Sequence, residues 1–265
     1  RIQSDSGRAG RQCTDRGNQF SQCYGFYQKR EAAAGIRCSN EPVCQQSGYQ
    51  KRDRRKKGIT ESSPLKEKLE ALKGLKIGIT SPGSSTDKLI RLLLKEVGLQ
   101  PDRDVLLVPI GKDSAMVAAF KNNKIDAFSL SSPTDQIAVE EGDGMILVNL
   151  SQGEVPYLDG ITYTALVANK EYIEKNPETI KKVYRAMEKA CQYIKNNKEG
   201  TRKILRSYFK QIDEDVFNKS FEANYEAFAT SPLITKEGYE KNEIFSEIQG
   251  KKIDYQDVVA TKIFK

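Results

Sequence analysis

The sequence predicts an α/β protein with a largely parallel sheet, and three observations lead there. Short apolar runs recur near residues 77–79, 105–108, 125–130 and 145–150. Segments with apolar residues at helical spacing fill the gaps between them. Those segments open on Ser, Thr or Asp and close on Gly or Asn, the residues that start and stop helices. Strands alternating with helices of this length call for crossover connections, hence parallel strands with helices on both faces.

Each element has a local reason. Ser63-Pro64-Leu65 opens a helix that runs to Lys73, with Leu65, Leu69 and Leu72 on one face and Gly74 as its stop. Ile77 and Ile79 mark a strand, the Ser81-Pro82-Gly83 turn follows, and a helix over 88–97 closes at Gly98. The run 105–108 ends at Pro109-Ile110-Gly111, and Lys112-Asp113-Ser114 leads into a helix over 115–121. Asn122-Asn123 turns the chain into a third strand, 125–130. Ser131-Ser132-Pro133 opens a helix over 134–141, and Gly142-Asp143-Gly144 stops it before a strand over 145–150. A turn-rich stretch, 152–160, precedes a strand over 161–168. Asn176-Pro177-Glu178 caps a long helix to about residue 195, whose Ile180, Val183, Tyr184, Met187, Cys191 and Ile194 form an apolar stripe. Helices over 199–209, 213–226 and 236–247 finish the chain.

In parallel sheets ligands sit beyond the carboxyl ends of the strands. Three such ends are rich in hydroxyls or glycine: 81–86, 111–114 and 129–132. Free backbone N–H groups at a helix start, together with Ser and Thr hydroxyls, suit an anionic or polar group. The bland alternative is that such residues only cap their own helices.

Charge and cysteine divide the chain in two. Residues 1–58 hold 13 of the 43 Lys and Arg but only 5 of the 36 Asp and Glu, so the rest of the chain is close to neutral. The same segment has no Leu or Met, and its apolar residues follow neither period 2 nor 3.6. It reads as a basic segment that is disordered or miscoded, and a shifted reading frame would explain the abrupt change near Gly58. The run 51–57 has the charge to touch nucleic acid or an anionic membrane, yet nothing aromatic interleaves it, and a solvated tail is the expectation. Cys13, Cys23, Cys38 and Cys44 lack the close pairing of a zinc site, the chain has no His, and Cys191 lies in the long helix as a small apolar residue. No apolar run is long enough to span a bilayer, and no signal sequence is visible near Arg1.

The stretches LKGLKIGITSPGSSTD, VPIGKDSAMVAAFKNNKIDAFSLSSPTDQIAVEEGDG and ITYTALVANKEYIEKNPETIKKVYRAMEKACQYI resemble substrate-binding proteins of ABC importers for nitrate, sulfonate and taurine-like solutes. The resemblance spans roughly residues 59–265. It implies the type II periplasmic-binding-protein fold, with two α/β lobes, a two-strand hinge and a solute in the cleft, and with the first lobe incomplete here. The implied division is an atypical segment 1–58, a linker helix 59–74, a complete ligand-binding lobe 75–160, and a hinge strand with the helical part of the other lobe, 161–265. Carried over residue by residue, the ligand contacts fall at Ser84, Ser85, Thr86, Ser131 and Ser132, with Gly111 and Lys112 as weaker candidates.

The resemblance further implies a monomer that captures a small anionic or polar solute, delivers it to a membrane permease, and is exported to the periplasm or held outside the membrane by a lipid anchor. No cofactor and no nucleic-acid partner are expected. With half of the cleft in doubt, solute binding is expected to be weak. Two other classes compete. Thiamine-pyrimidine precursor synthases share this fold, but the resemblance gives them a reactant histidine and pyridoxal phosphate, and this chain has no His. An effector-binding regulator would need a helix-turn-helix, and the basic arm lacks the apolar core of one.

Overall fold

The computed structural model describes residues 36–37, 46–50, 58–111, 113–246 and 253–261. A five-stranded sheet forms its centre. In chain order the strands are β2 (Gln46–Gln50), β3 (Lys76–Ile79), β4 (Leu106–Pro109), β5 (Ala127–Leu130) and β6 (Gly144–Asn149); β1 (Ile36–Arg37) lies outside this sheet. Their order across the sheet is β4-β3-β5-β2-β6. β3 runs parallel to β4 and β5, as the crossover helices require, whereas β2 is antiparallel to both β5 and β6.

The antiparallel β2 is the departure from the sequence reading. It falls inside the stretch where no regular element was expected, between two strands that the pattern did show. Its sequence, Gln-Ser-Gly-Tyr-Gln, has no apolar alternation. What holds it is a backbone ladder to a neighbour on each side, which hydrophobic periodicity does not register. β5, by contrast, is buried along its whole length. Central strands covered on both faces read as continuous apolar runs.

Helices cover both faces. On one, α1 (Leu65–Glu70) and α2 (Ser85–Glu96) pack with β3 and β6. Leu89, Ile90, Leu93 and Leu94 are at most 1% exposed. Each such burial stabilises the fold by about 2 kcal/mol before entropy is counted. On the other face, α3 (Asp113–Lys121) and α4 (Thr134–Gly142) enclose Met116, Phe120, Ile125, Phe128 and Ala138. Phe120 and Phe128 meet edge to face, with centroids 5.3 Å apart. β3 passes so close to this cluster that a Cβ on Gly78 would stand 2.4 Å from Met116 Sδ and 2.7 Å from Ile125 Cδ1. Lys68, only 2% exposed, reaches from α1 to Glu154 Oε1 at 2.5 Å and ties the helix to the turn beyond β6.

The remainder is helical. β7 (Ala165–Leu166) pairs with β1 as a two-stranded antiparallel ribbon, shorter than the strand expected over 161–168. Then follow α5 (Lys170–Lys175), α6 (Pro177–Asn196), α7 (Lys198–Tyr208), α8 (Glu214–Asn224), α9 (Lys236–Glu240), α10 (Glu243–Ser246) and α11 (Tyr255–Val258). The last long helix expected from the pattern is thus broken at Lys241 and Asn242.

The stripe on α6 is only partly covered. Ile180 and Cys191 are buried, but Val183 and Tyr193 are exposed, as are Ile204 and Tyr208 on α7. α8 is better enclosed: Phe217 and Phe221 stack at 6.3 Å, and the guanidinium groups of Arg206 and Arg202 lie over their rings. The helical part joins the sheet through Phe245, which enters the main core, and through Thr162 N–H donating to Gly238 O at 2.8 Å.

Candidate functional site

Because β3, β4 and β5 are parallel, their carboxyl ends open on one edge of the sheet. The loop 80–84 leaves β3 and Ser131–Ser132 leave β5, side by side, while Gly111 follows β4 on the far side of β3. The topology therefore brings Ser84, Ser85, Thr86, Gly111, Ser131 and Ser132 to one rim. Lys112 lies outside the described residues, as do Cys13, Cys23, Cys38, Cys44 and the basic run 51–57.

The β3 rim is closed by its own hydrogen bonds. Ser84 is the N-cap of α2, and its Oγ accepts from Asp87 N–H at 3.4 Å. Thr86, 1% exposed, accepts from Thr80 N–H at 3.0 Å, and its hydroxyl lies 2.9 Å from Ser84 Oγ. Ser85 beside them is half-buried. Asp87 Oδ2 accepts from Gly83 N–H at 2.7 Å, and its Oδ1 accepts from Arg91 Nε at 2.8 Å. The start of α2 thus already holds a carboxylate, and Arg91 neutralises it. Gly111 has φ +95°, a conformation that favours glycine, and Ile110 N–H just before it donates to Ile79 O at 2.9 Å.

The β5 rim is built differently. Ser132 Oγ donates to Asp135 Oδ2 at 3.0 Å and accepts from Asn224 Nδ2 at 2.9 Å. Asn224 Oδ1 in turn accepts from Ser151 Oγ at 2.8 Å. Ser151 belongs to the 3-10 turn after β6, and Asn224 ends α8, so this chain of bonds crosses from the sheet to the helical part. A second tie between the two is the ion pair of Lys219 with Glu140. Asp135 has no exposed surface, and its Oδ1 has no partner among the described residues. Burial pushes its carboxyl up to about 6, against the opposing pull of the Ser132 hydroxyl and two backbone N–H groups.

Asp135 and Asn224 were not found by sequence reasoning. An Asp in the first turn of a helix reads as routine dipole complementation, and Asn224 is 92 residues from Ser132. Among the described residues no group of His, Cys, Asp and Glu could hold a metal ion.

A family model described as NMT1-like matches residues 32–207. The chain belongs to the NMT1-like family. The match begins ahead of β1, so it takes in the antiparallel strand that the pattern missed. Among curated relatives of this family member, the nitrate/nitrite binding protein NrtA of Synechocystis is 28% identical over 167 residues, covering 61% of this chain and 36% of that one. Among solved structures, a protein of Bordetella bronchiseptica superposes with a TM-score of 0.66 at 20% identity, covering 89% of this chain and 74% of that chain. The periplasmic aliphatic sulphonate binding protein SsuA of Escherichia coli gives 0.62 at 18% identity, covering 84% and 68%. These establish the periplasmic-binding-protein-like α/β fold. The chain spans about a third of the length of the curated relatives it matches.

Proposed function

We propose that this chain is the solute-binding component of an ABC importer, capturing a small anionic or polar organic solute between the sheet and the helical part without making or breaking bonds. The observation that carries this reading is the shared rim. Three parallel strands deliver hydroxyl- and glycine-rich loops to one edge, and α8 approaches that edge from another part of the fold. Relatives and structural neighbours with nitrate- and sulphonate-binding names support the solute class. The ribbon of β1 and β7 would serve as the hinge, and closure would follow from contacts that a bound solute makes with both sides.

The same reading makes the protein a monomer that works outside the cytoplasmic membrane and hands its solute to a permease. It needs no cofactor. Weak binding is expected, with affinity on the order of millimolar.

Ligand-observed NMR with ethanesulfonate, taurine and β-alanine tests this, because it detects millimolar binding. Saturable transfer to at least one of these solutes, competed by excess of the same solute, is expected. No saturable transfer to any of them overturns the reading.

A further inference from the structure

The polarity of the bonds at the β5 rim narrows the solute class, given the solute-binding reading above. Ser132 spends its one proton on Asp135 Oδ2, so toward anything else its oxygen can only accept. In this structure the donor it accepts from is the Asn224 amide, and that amide is fixed in turn by Ser151. Behind Ser132 stands a carboxyl group with no exposed surface, one bare oxygen, and no Lys or Arg paired with it among the described residues. Across the boundary, the buried Ser220 Oγ on α8 also lacks a partner.

A buried carboxylate without a cation is costly, and the start of α4 has no use for a second anion once Asp135 is there. Another helix start carries a carboxylate, Asp113 in the first turn of α3, while Asp87 at the start of α2 is already paired with Arg91. This rim offers acceptors and negative charge rather than an oxyanion cradle.

We propose that Ser132, Asp135 and Asn224 form a subsite for a protonated nitrogen of the solute, which displaces the Asn224 amide from Ser132 and supplies the positive charge that Asp135 lacks. The solute is then an amine, an amino acid or an aminosulfonate rather than a bare oxyanion. Asn224 acts as the stand-in that holds the empty subsite and yields when the solute arrives.

Matched pairs that differ only in the amine test this on the protein as it is: taurine against ethanesulfonate, and β-alanine against propionate. A charge-assisted hydrogen bond of about 1.5–3 kcal/mol predicts roughly tenfold or greater preference for the amine of each pair in NMR titrations. Asn224→Ala removes the competitor and should tighten taurine several-fold. Ser132→Ala should erase the preference. If ethanesulfonate and propionate bind as well as their amines, the subsite does not exist, although the solute-binding reading survives. If none of the four binds, both fall. Because the wild-type pairs decide the matter, the result does not depend on either variant folding.

Discussion

Asp135→Asn should stabilise the protein at neutral pH and destabilise it slightly, by about 1 kcal/mol, at pH 4. The carboxyl has no exposed surface, and burial raises its pKa from 3.8 to about 6. Between those values the folded state binds more protons than the unfolded one, so this group's contribution to stability falls as pH rises. The contribution is intact below about pH 4 and lost above about pH 6. Two units at 1.36 kcal/mol each give a penalty on the order of 3 kcal/mol for the ionised form. Asparagine avoids that penalty. Its carbonyl can replace Oδ2 as acceptor for Ser132, but its amide would be unpartnered where Oδ1 now stands, at a cost of about 1 kcal/mol. A net gain of about 2 kcal/mol at pH 7–8 is therefore expected. Urea denaturation followed by far-UV circular dichroism, from pH 4 to pH 8, measures the difference directly, and the lack of Trp makes fluorescence the poorer probe. A difference between wild type and variant that stays constant across this window would refute the assignment of Asp135 as a buried, uncompensated carboxyl.

Three further outcomes follow from the packing. Gly78→Ala should destabilise by about 1–3 kcal/mol in the same denaturation assay, since its methyl would collide with Met116 and Ile125, and a companion Ile125→Val should recover part of the loss. Lys68→Met should cost about 1–3 kcal/mol by leaving Glu154 without its cation, whereas Lys68→Met with Glu154→Gln should lie closer to wild type; equal losses in the single and the double variant would show that the ion pair contributes nothing specific. Asp213→Ala removes the N-cap of α8, which accepts from Asp215 and Val216 N–H, and should cost about 1 kcal/mol with rescue by Asp213→Ser. Failure of Ser to rescue would assign the loss to something other than the cap.

Much of the fold was legible because its signals are local. The apolar runs at β3, β4, β5 and β6 and the long stripe of α6 were visible within a residue or two of where the elements lie, whereas α2, expected from residue 88, begins three residues earlier at Ser85. Also visible was the edge of the sheet from which the loops 80–84, 110–111 and 131–132 emerge, because parallel topology fixes on which edge strand ends lie. β2 was not legible: it has no alternation, and its place in the sheet is decided by the strands it pairs with. Which hydroxyls on the rim are engaged was equally out of reach. Thr86 and Ser84 look alike as cap residues in sequence, but only the folded turn buries the first against Thr80.

The sequence by itself therefore determined the alternating α/β order, the sheet edge that carries the candidate site, and the absence of the histidine that a synthase reading would need. Periodicity, capping and composition act between near neighbours along the chain, and such information is written locally. Tertiary structure alone decided that a strand from residues 46–50 completes the sheet, and that Asn224 meets Ser132. It also decided that Asp135 is stripped of water without a cation beside it. Those are properties of groups far apart in sequence, and burial, pairing and charge compensation exist only once the chain has brought them together.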